Sequence, residues 1–197
     1  MIYGTHNSGT GGKLLWWLTP IGGLINLTSK CQDLNIEEQL NNGVRWFNLQ
    51  VAYYKNQWRF SHGLALYKED VIKTLEMLCN FAKAKDPIYV QVYLDRSFWC
   101  KQNQEAFLKL GALLNKLHEH NEYFNTQSVW VEGTNIRLKP QATINGEEHY
   151  WTQGWSKDKS IWDKLPLPRR HARKYNRVYI KNCSHDYLML DFYNKYR

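Results

Sequence analysis

The sequence lacks the features that mark zinc-binding, redox-active or membrane-spanning proteins. Its cysteines lie far apart and form no Cys-x-x-Cys pair, which argues against a zinc site or a thioredoxin-type centre. There are four of them: Cys31, Cys79, Cys100 and Cys183. The apolar residues 14–27 contain Pro20 and two glycines, and this stretch is too short to cross a bilayer.

Internal repeats and low-complexity tracts are also missing, and no signal peptide is visible, so we expect either a soluble or a peripheral membrane protein. The densest basic cluster, residues 169–174, has no recognised nucleic-acid-binding motif around it. We therefore disfavour nucleic acid as a partner. The net charge of +8 indicates another acidic partner, such as a phosphate head group or an anionic membrane, or it serves solubility alone.

What is present is the composition of a globular protein, with 43% hydrophobic and 22% charged residues. A chain of 197 residues has the usual size of one domain, so we expect a single domain over residues 1–197. Residues 141–176 are predicted to be an irregular, Trp-rich and basic insertion within it. The 9 Trp and 13 Tyr favour ligand grooves, partner surfaces or membrane interfaces, where apolar and wet surroundings meet.

Strand-like and helix-like segments alternate along the chain, which predicts an α/β protein. Amphipathic helices are predicted over residues 71–79 and 107–117, and a short capped helix over 36–41. Strands are predicted over residues 2–6, 44–54, 58–62, 88–95, 128–131, 136–139, 177–182 and 188–192. Residues 88–95 alternate between an aliphatic face and a face of Gln, Tyr and Asp, as expected of a barrel with helices outside and a polar interior. The chain is short for eight repeats, so we expect an irregular or incomplete TIM-type barrel.

Two histidines stand at the carboxyl ends of predicted strands, where the active sites of such barrels lie. His6 follows the first strand beside a Gly-rich loop, and His62 ends the third. Paired histidines suit acid–base chemistry, because one can take a proton from a nucleophilic hydroxyl while the other protonates the leaving group. The alternative is that each histidine only satisfies local hydrogen bonds.

Four short segments, in this order, resemble motifs of the phosphatidylinositol-specific phospholipase C family. Gly4-Thr-His-Asn-Ser is similar to the opening Gly-Thr-His-Asp-Ser of bacterial members and the Ser-His-Asn-Thr of animal ones. Gly43-Val-Arg-Trp-Phe-Asn-Leu-Gln resembles Gly-Ala-Arg-x-Phe-Asp-Ile-Arg, and Phe60-Ser-His-Gly resembles the His-Gly of the third strand. Leu190-Asp-Phe-Tyr-Asn is similar to the closing strand. The resemblance covers residues 1–95 and 186–194 and is not traceable through residues 100–176.

This resemblance implies a hydrolase of lipid metabolism, a phosphodiesterase that cleaves phosphatidylinositol into diacylglycerol and an inositol phosphate. By the resemblance, His6 is the general base, Asp191 holds His6 in the required tautomer, and His62 protonates the departing glycerol oxygen. We expect the substrate to be bound by Asn7, Asn48 and Gln50, which lie in the matching motifs, and by Tyr93 and Asp95, on the polar face of residues 88–95.

Two positions depart from the family pattern in their charge. Asn7 stands where bacterial members have Asp, and Gln50 stands where they have an Arg whose loss typically costs on the order of 10²–10³ in rate. A compensating cation would have to come from Arg96, Arg137 or residues 169–173. Calcium-dependent animal members bring several carboxylates, whereas Asp95 is the one candidate here, so we expect no metal ligand and no cofactor beyond a weak Ca²⁺ site.

Two functions therefore stay open: an active, metal-independent phosphodiesterase, which we favour, and a catalytically inactive relative with a binding or structural role. The family resemblance also implies that the apolar residues 14–27 meet a membrane. Trp16 and Trp17 beside Lys13 suit such an interfacial anchor. The alternatives for this segment are packing against the barrel wall and contact with another protein chain.

Overall fold

The computed structural model describes residues 2–94, 104–129, 141–144, 147–150, 167–182 and 187–196. The strands are β1 (Ile2–Thr5), β2 (Trp46–Tyr54), β3 (Gln57–His62), β4 (Ala65–Asp70), β5 (Ile88–Leu94), β6 (Phe124–Val129), β7 (Gln141–Ile144), β8 (Glu147–Tyr150) and β9 (Tyr187–Leu190). The helices are α1 (Gly22–Ser29), α2 (Ile36–Asn41), α3 (Val71–Phe81), α4 (Gln104–His120), α5 (Pro168–Asn182) and α6 (Tyr193–Tyr196), with 3₁₀ turns at Ser8–Gly11 and Trp16–Ile21. Within these ranges no helix is both long and apolar enough to cross a membrane.

A seven-stranded sheet organises the molecule. Strands β9, β1, β2, β5 and β6 run parallel in that spatial order. β2 extends beyond the end of β1, and its second half pairs with β3, which continues antiparallel into β4. The sheet is curled, and helices follow the strands along the chain, which confirms the prediction of an α/β protein with an incomplete TIM-type barrel.

The two faces of the sheet differ as the sequence predicted, because successive side chains of a strand point to opposite sides. Ile88, Val90 and Val92 of β5 pack in the main core with residues of α3 and α4. On the other face, Trp46, Tyr89 and Met189 form a separate buried cluster inside the barrel. The residues two positions further along these strands are polar: Asn48, Gln91 and Asp191. The barrel interior therefore has an apolar floor and a polar layer above it.

The predicted short helix α2 begins with a complete capping box. The Asn35 side chain accepts a hydrogen bond from Glu38 N at 2.9 Å, and the Glu38 carboxylate accepts one from Asn35 N at 2.8 Å. Gly43, with φ +88°, follows the helix in a conformation that glycine adopts without strain. This helix leads the chain directly into β2, which carries two of the candidate site residues.

The predicted strand at residues 177–182 is wrong, since these residues form the last turns of α5. Residues 168–176, predicted to be irregular, form its first turns. Val178, Tyr179 and Ile180 favour a strand locally, but Pro168 suits the first turn of a helix. The buried residues recur at helical spacing and decide the outcome: Pro168, His171, Ala172 and Asn176. Residues 130–140, which include a predicted strand, lie outside the described ranges.

The third strand runs antiparallel to both of its neighbours, β2 and β4. Lys55 and Asn56, both with positive φ, form a tight turn that sends β3 back antiparallel along β2, with Val51 opposite Phe60. His62 therefore ends an antiparallel strand of the sheet. The returning strand brings His62 back toward the level at which β1 ends.

Candidate active site at the barrel mouth

His6 and Asp191 form a buried pair at the mouth of the barrel, the end at which β1, β2, β5 and β9 finish. Thr5 lies opposite Leu190 in the parallel pair β1–β9, so the next residues leave the sheet side by side. His6 Nδ1 is 3.0 Å from Asp191 Oδ1, and the two residues are 4% and 7% exposed. Because a carboxylate accepts the bond, Nδ1 carries the proton and the lone pair of the neutral ring is on Nε2. This is the tautomer of a general base.

The main chain of this pair is held by two amide side chains that sequence reasoning missed. Gln32 Nε2 donates hydrogen bonds to the carbonyl oxygens of His6, at 3.0 Å, and Leu190, at 2.8 Å. Asn176 Nδ2, on α5, donates to the carbonyl oxygen of Asp191 at 2.7 Å. Both amides lie outside the recognised motifs, so no local signal could have identified them.

His62 faces His6 across the mouth. The two ring centroids are 6.3 Å apart and the ring planes are at 82°. His62 Nδ1 donates to the carbonyl oxygen of Ser29 at 2.7 Å, so its other nitrogen, Nε2, is the one that can exchange a proton with a substrate. Acid–base catalysis needs each ring within about 2.6–3.2 Å of a reacting oxygen, and one phosphodiester can meet that requirement for two rings at this separation.

The Gly-rich loop after β1 brings Asn7 into the same site. Asn7 has φ 47°, in the left-handed region that Asn tolerates better than most residues. A Cβ on Gly9 would lie 2.3 Å from the Phe60 ring, and one on Gly11 would lie 1.6 Å from the Leu34 carbonyl oxygen. Glycine is therefore required at both positions for the loop to pack this closely.

The substrate-binding candidates form one network of neutral hydrogen bonds. Asn7 N donates to Asn48 Oδ1 at 3.2 Å, and Asn48 Nδ2 donates to Gln91 Oε1 at 2.9 Å. Tyr93 OH donates to Asn7 Oδ1 at 2.9 Å and accepts a bond from Gln50 Nε2. The structure thus brings together Asn7, Asn48, Gln50 and Tyr93, while Asp95, Arg96 and Arg137 lie outside the described residues.

Gln50 Oε1 marks an open position in this network. It is a buried acceptor without a hydrogen-bond partner in the described part of the chain. Such an atom loses its hydration on burial, and a donor supplied by a ligand would restore the lost bond. This is also the residue that, by resemblance, replaces an arginine.

Cys31 is a further member of the site that the sequence did not reveal. It is fully buried, and its Sγ lies 3.8 Å from His62 Nδ1 and 3.6 Å from Asn7 Nδ2. Burial raises the pKa of the Cys31 thiol well above its usual value, and the negative charge of Asp191 raises it further. The sequence could not show this placement, because Cys31 is distant along the chain from every motif.

The two candidate membrane anchors differ in exposure. Trp16 is 81% exposed, whereas Trp17 is half-buried with its ring centroid 6.2 Å from that of Tyr54. A groove of about 920 Å³ runs between this segment and the β2–β3 turn, but it does not include the two histidines or Asp191. The barrel mouth, and not this groove, is the candidate active site, because the mouth holds the paired titratable groups.

Solved structures with a similar fold are bacterial phosphatidylinositol-specific phospholipases C. A variant of the enzyme from Staphylococcus aureus matches with a TM-score of 0.60 and 11% identity, over 97% of this chain and 85% of the other. A second S. aureus structure, concerned with membrane binding, has a TM-score of 0.59 and 14% identity over 97% and 85% of the two chains. The enzyme from Listeria monocytogenes has a TM-score of 0.56 and 12% identity over 97% and 87%.

These similarities concern the fold, since identities of 11–14% are too low to transfer an activity. No family model and no curated protein matches the sequence. The resemblance inferred from the four short motifs is thereby confirmed at the level of the fold, which is that of a divergent phosphatidylinositol-specific phospholipase C-like barrel.

Proposed function

We propose that the chain is a phosphodiesterase that cleaves a phosphoinositide-type or related phosphodiester by acid–base catalysis. The observation that supports this most is the buried His6–Asp191 pair, with Nδ1 and Oδ1 3.0 Å apart, facing the ring of His62 at 6.3 Å. The solved neighbours are phosphatidylinositol-specific phospholipases C, so phosphatidylinositol is the first substrate to test.

In this proposal His6 Nε2 removes the proton from the inositol 2-hydroxyl, and that oxygen attacks phosphorus. The bond from phosphorus to the glycerol oxygen breaks, and protonated His62 donates its Nε2 proton to the departing oxygen. The products are diacylglycerol and a cyclic inositol phosphodiester. Asp191 stabilises the positive charge that His6 gains, as a carboxylate does in a catalytic triad. Gln50 Oε1 is available to accept a hydrogen bond from a substrate hydroxyl.

A second candidate is an inactive barrel with a binding or structural role. It is favoured by the partners of Asn7, Asn48 and Gln50, which are neutral groups among the described residues. A phosphodiester transition state gains negative charge, and neutral donors stabilise it less than a guanidinium does.

The test compares two substrates that differ in their leaving group: phosphatidylinositol in vesicles and a soluble inositol phosphodiester with a nitrophenol leaving group. We expect His6→Ala to lower turnover of both by about 10²–10⁴, because the base acts on the shared nucleophile. His62→Ala should lower turnover of phosphatidylinositol by a similar factor and that of the nitrophenyl ester much less, since nitrophenolate departs without a proton. His120→Ala, an exposed histidine on α4, is the matched control. If the wild type turns over neither substrate, the inactive barrel is favoured.

Metal independence is a separate prediction. Turnover should survive excess chelator, because Asn7, Asn48 and Gln50 offer no charged oxygen to Ca²⁺. The measurement is the initial rate before and after chelation, and again after addition of excess Ca²⁺. A rate that disappears with chelator and returns with Ca²⁺ would contradict the prediction and implicate Asp95.

We also propose that the protein meets an anionic membrane through two adjoining surfaces. The apolar patch consists of the exposed residues Trp16, Ile21, Leu24 and Leu27. The basic face of α5 consists of the exposed residues Arg169, Arg170, Arg173, Lys174, Arg177 and Lys181. α1, which carries Leu24 and Leu27, packs against α5, so apolar and cationic side chains come from neighbouring helices. This combination suits a bilayer with acidic head groups, while another protein chain stays the alternative partner.

We expect Trp16→Ala to weaken binding to vesicles containing phosphatidylinositol by about tenfold or more. Full burial of a large apolar side chain is worth about 1.5–3 kcal/mol, and each factor of ten corresponds to about 1.4 kcal/mol. The measurement is sedimentation with sucrose-loaded vesicles. Leu108→Ala, which removes an apolar side chain 64% exposed on α4, is the matched control and should bind as the wild type does. Equal losses in the two variants would contradict the assignment of the patch.

A further inference from the structure

The position of Cys31 gives the mouth of the barrel a property that the proposed catalysis does not use. Its main chain is fixed between two parts of the site, since Cys31 N donates to Thr10 Oγ1 at 2.9 Å and Cys31 O accepts from Phe192 N at 2.7 Å. The thiol is thus held beside both histidines rather than carried on a surface loop. Ligand atoms of His6, Cys31 and Asp191 all lie within 4.8 Å of one another, and all three residues are buried.

We propose that His6, Cys31 and Asp191 form a Zn²⁺-binding site that inhibits the protein, with a water molecule as the fourth ligand. Tetrahedral Zn²⁺ has bonds of about 2.0–2.3 Å to N, O and S, which sets its ligand atoms roughly 3.3–3.8 Å apart. The separation of His6 Nδ1 from Asp191 Oδ1 is 3.0 Å, close to this range. The ligand atoms of the three residues lie within 4.8 Å of one another, so no pair must close by more than about 1.5 Å for tetrahedral Zn²⁺.

The donor set selects the metal. A thiolate with imidazole and a carboxylate suits Zn²⁺ and its softer analogue Cd²⁺, whereas Ca²⁺ and Mg²⁺ require a shell of oxygen ligands. Zn²⁺ with the Cys31 thiolate and the Asp191 carboxylate has no net charge, which suits a buried position. On binding, the Cys31 sulfur releases its proton to solvent and the Zn–S bond forms, with no change of oxidation state.

Zinc at this position would block the proposed chemistry. Coordination at His6 Nδ1 moves the ring proton to Nε2, and coordination at Nε2 occupies that nitrogen directly. In either case His6 loses the lone pair with which it would act as base. Inhibition rests on the proposed function, whereas binding of the metal does not.

The experiment therefore measures binding and turnover separately. The reduced, chelator-treated protein is titrated with Cd²⁺ alone, and the thiolate-to-metal charge-transfer absorption is recorded. We expect one Cd²⁺ per chain, displaced by Zn²⁺. Cys31→Ser should abolish the absorption and weaken Zn²⁺ binding at least about a hundredfold, since even outer hydrogen-bond partners of metal ligands are worth about 10–100-fold. Cys79→Ser, which alters a buried cysteine whose Sγ lies 3.4 Å from the Leu117 carbonyl oxygen, should leave both unchanged.

The outcomes separate the two proposals. Two results together support both the zinc site and the phosphodiesterase. The first is loss of the Cd²⁺ absorption in Cys31→Ser, and the second is turnover that Zn²⁺ inhibits in the wild type but not in this variant. If the wild type shows no turnover but Cys31→Ser still loses the Cd²⁺ absorption, the zinc site is supported and the phosphodiesterase is rejected. Cd²⁺ absorption that persists in Cys31→Ser, or is absent from the wild type, overturns the zinc site. If Cys31→Ser does not fold, Asp191→Asn replaces it, and unaltered Zn²⁺ affinity in that variant overturns the proposal equally.

Discussion

Asp191→Asn is expected to lower turnover by about 10³–10⁴ without unfolding the protein. The Asp191 carboxylate accepts a hydrogen bond from His6 Nδ1–H at 3.0 Å in a buried position, where the charge that His6 gains has little water to stabilise it. An asparagine has nearly the same shape, but it brings no negative charge, and its NH₂ group favours the opposite tautomer of His6. The measurement is kcat on the soluble inositol phosphodiester, with the melting temperature as the test of folding.

A matched control, Asp70→Asn, shows whether removal of a carboxylate elsewhere in the protein has the same effect as removal of the Asp191 charge. Asp70 caps α3 by accepting a hydrogen bond from Lys73 N at 3.1 Å, and Asn is an equally good cap. Asp70→Asn should therefore keep both stability and turnover. Turnover of Asp191→Asn that equals that of the wild type would show that His6 is not the base.

Much of the barrel could be predicted because its strands carry a period-2 pattern that sets both faces at once. In β5, the alternation of Val90 and Val92 with Gln91 and Tyr93 separates the helix-covered side from the interior. Parallel strands end at the same edge of a sheet, so the residues that directly follow them lie close together. The pairing of His6 with Asp191, 185 positions apart in sequence, was implied by the resemblance of their two motifs to those of the phosphatidylinositol-specific phospholipase C family.

What could not be predicted depends on contacts between distant segments. The strand propensity of residues 178–180 was outweighed by burial of the opposite face of α5, where Asn176 bonds the Asp191 carbonyl oxygen. Cys31 was set aside as a ligand because metal motifs are recognised by short spacings. The residues that lie close to it, His6 and Asp191, instead follow strands β1 and β9. A site assembled from single residues of separate elements leaves no pattern in the sequence.

The neutral network at the mouth bears on whether the site has weak catalytic activity or none. Gln50 Nε2 and Asn7 Oδ1 both contact the hydroxyl of Tyr93, so the two side chains that depart from the family pattern meet at one atom. We therefore expect the effect of substituting Asn7 to depend on the residue at position 50, and the reverse. A charge introduced at one of them alone would be buried beside neutral partners, and this costs stability.

Restoring both charges together, as Asn7→Asp with Gln50→Arg, should raise turnover by about 10²–10³, the typical worth of one group that stabilises transition-state charge. The guanidinium would face the phosphate and pair with the new carboxylate, and aspartate tolerates the φ of 47° at position 7. Each single variant is the control. Asn7→Asp alone adds negative charge to the mouth without a cation to balance it and should slow the reaction, and Gln50→Arg alone should lower the melting temperature. The double-mutant cycle, with kcat and melting temperature measured for all four proteins, isolates the coupling between the two positions. A stable double variant without gain would mean that another cation already serves the phosphate, or that the site no longer performs catalysis.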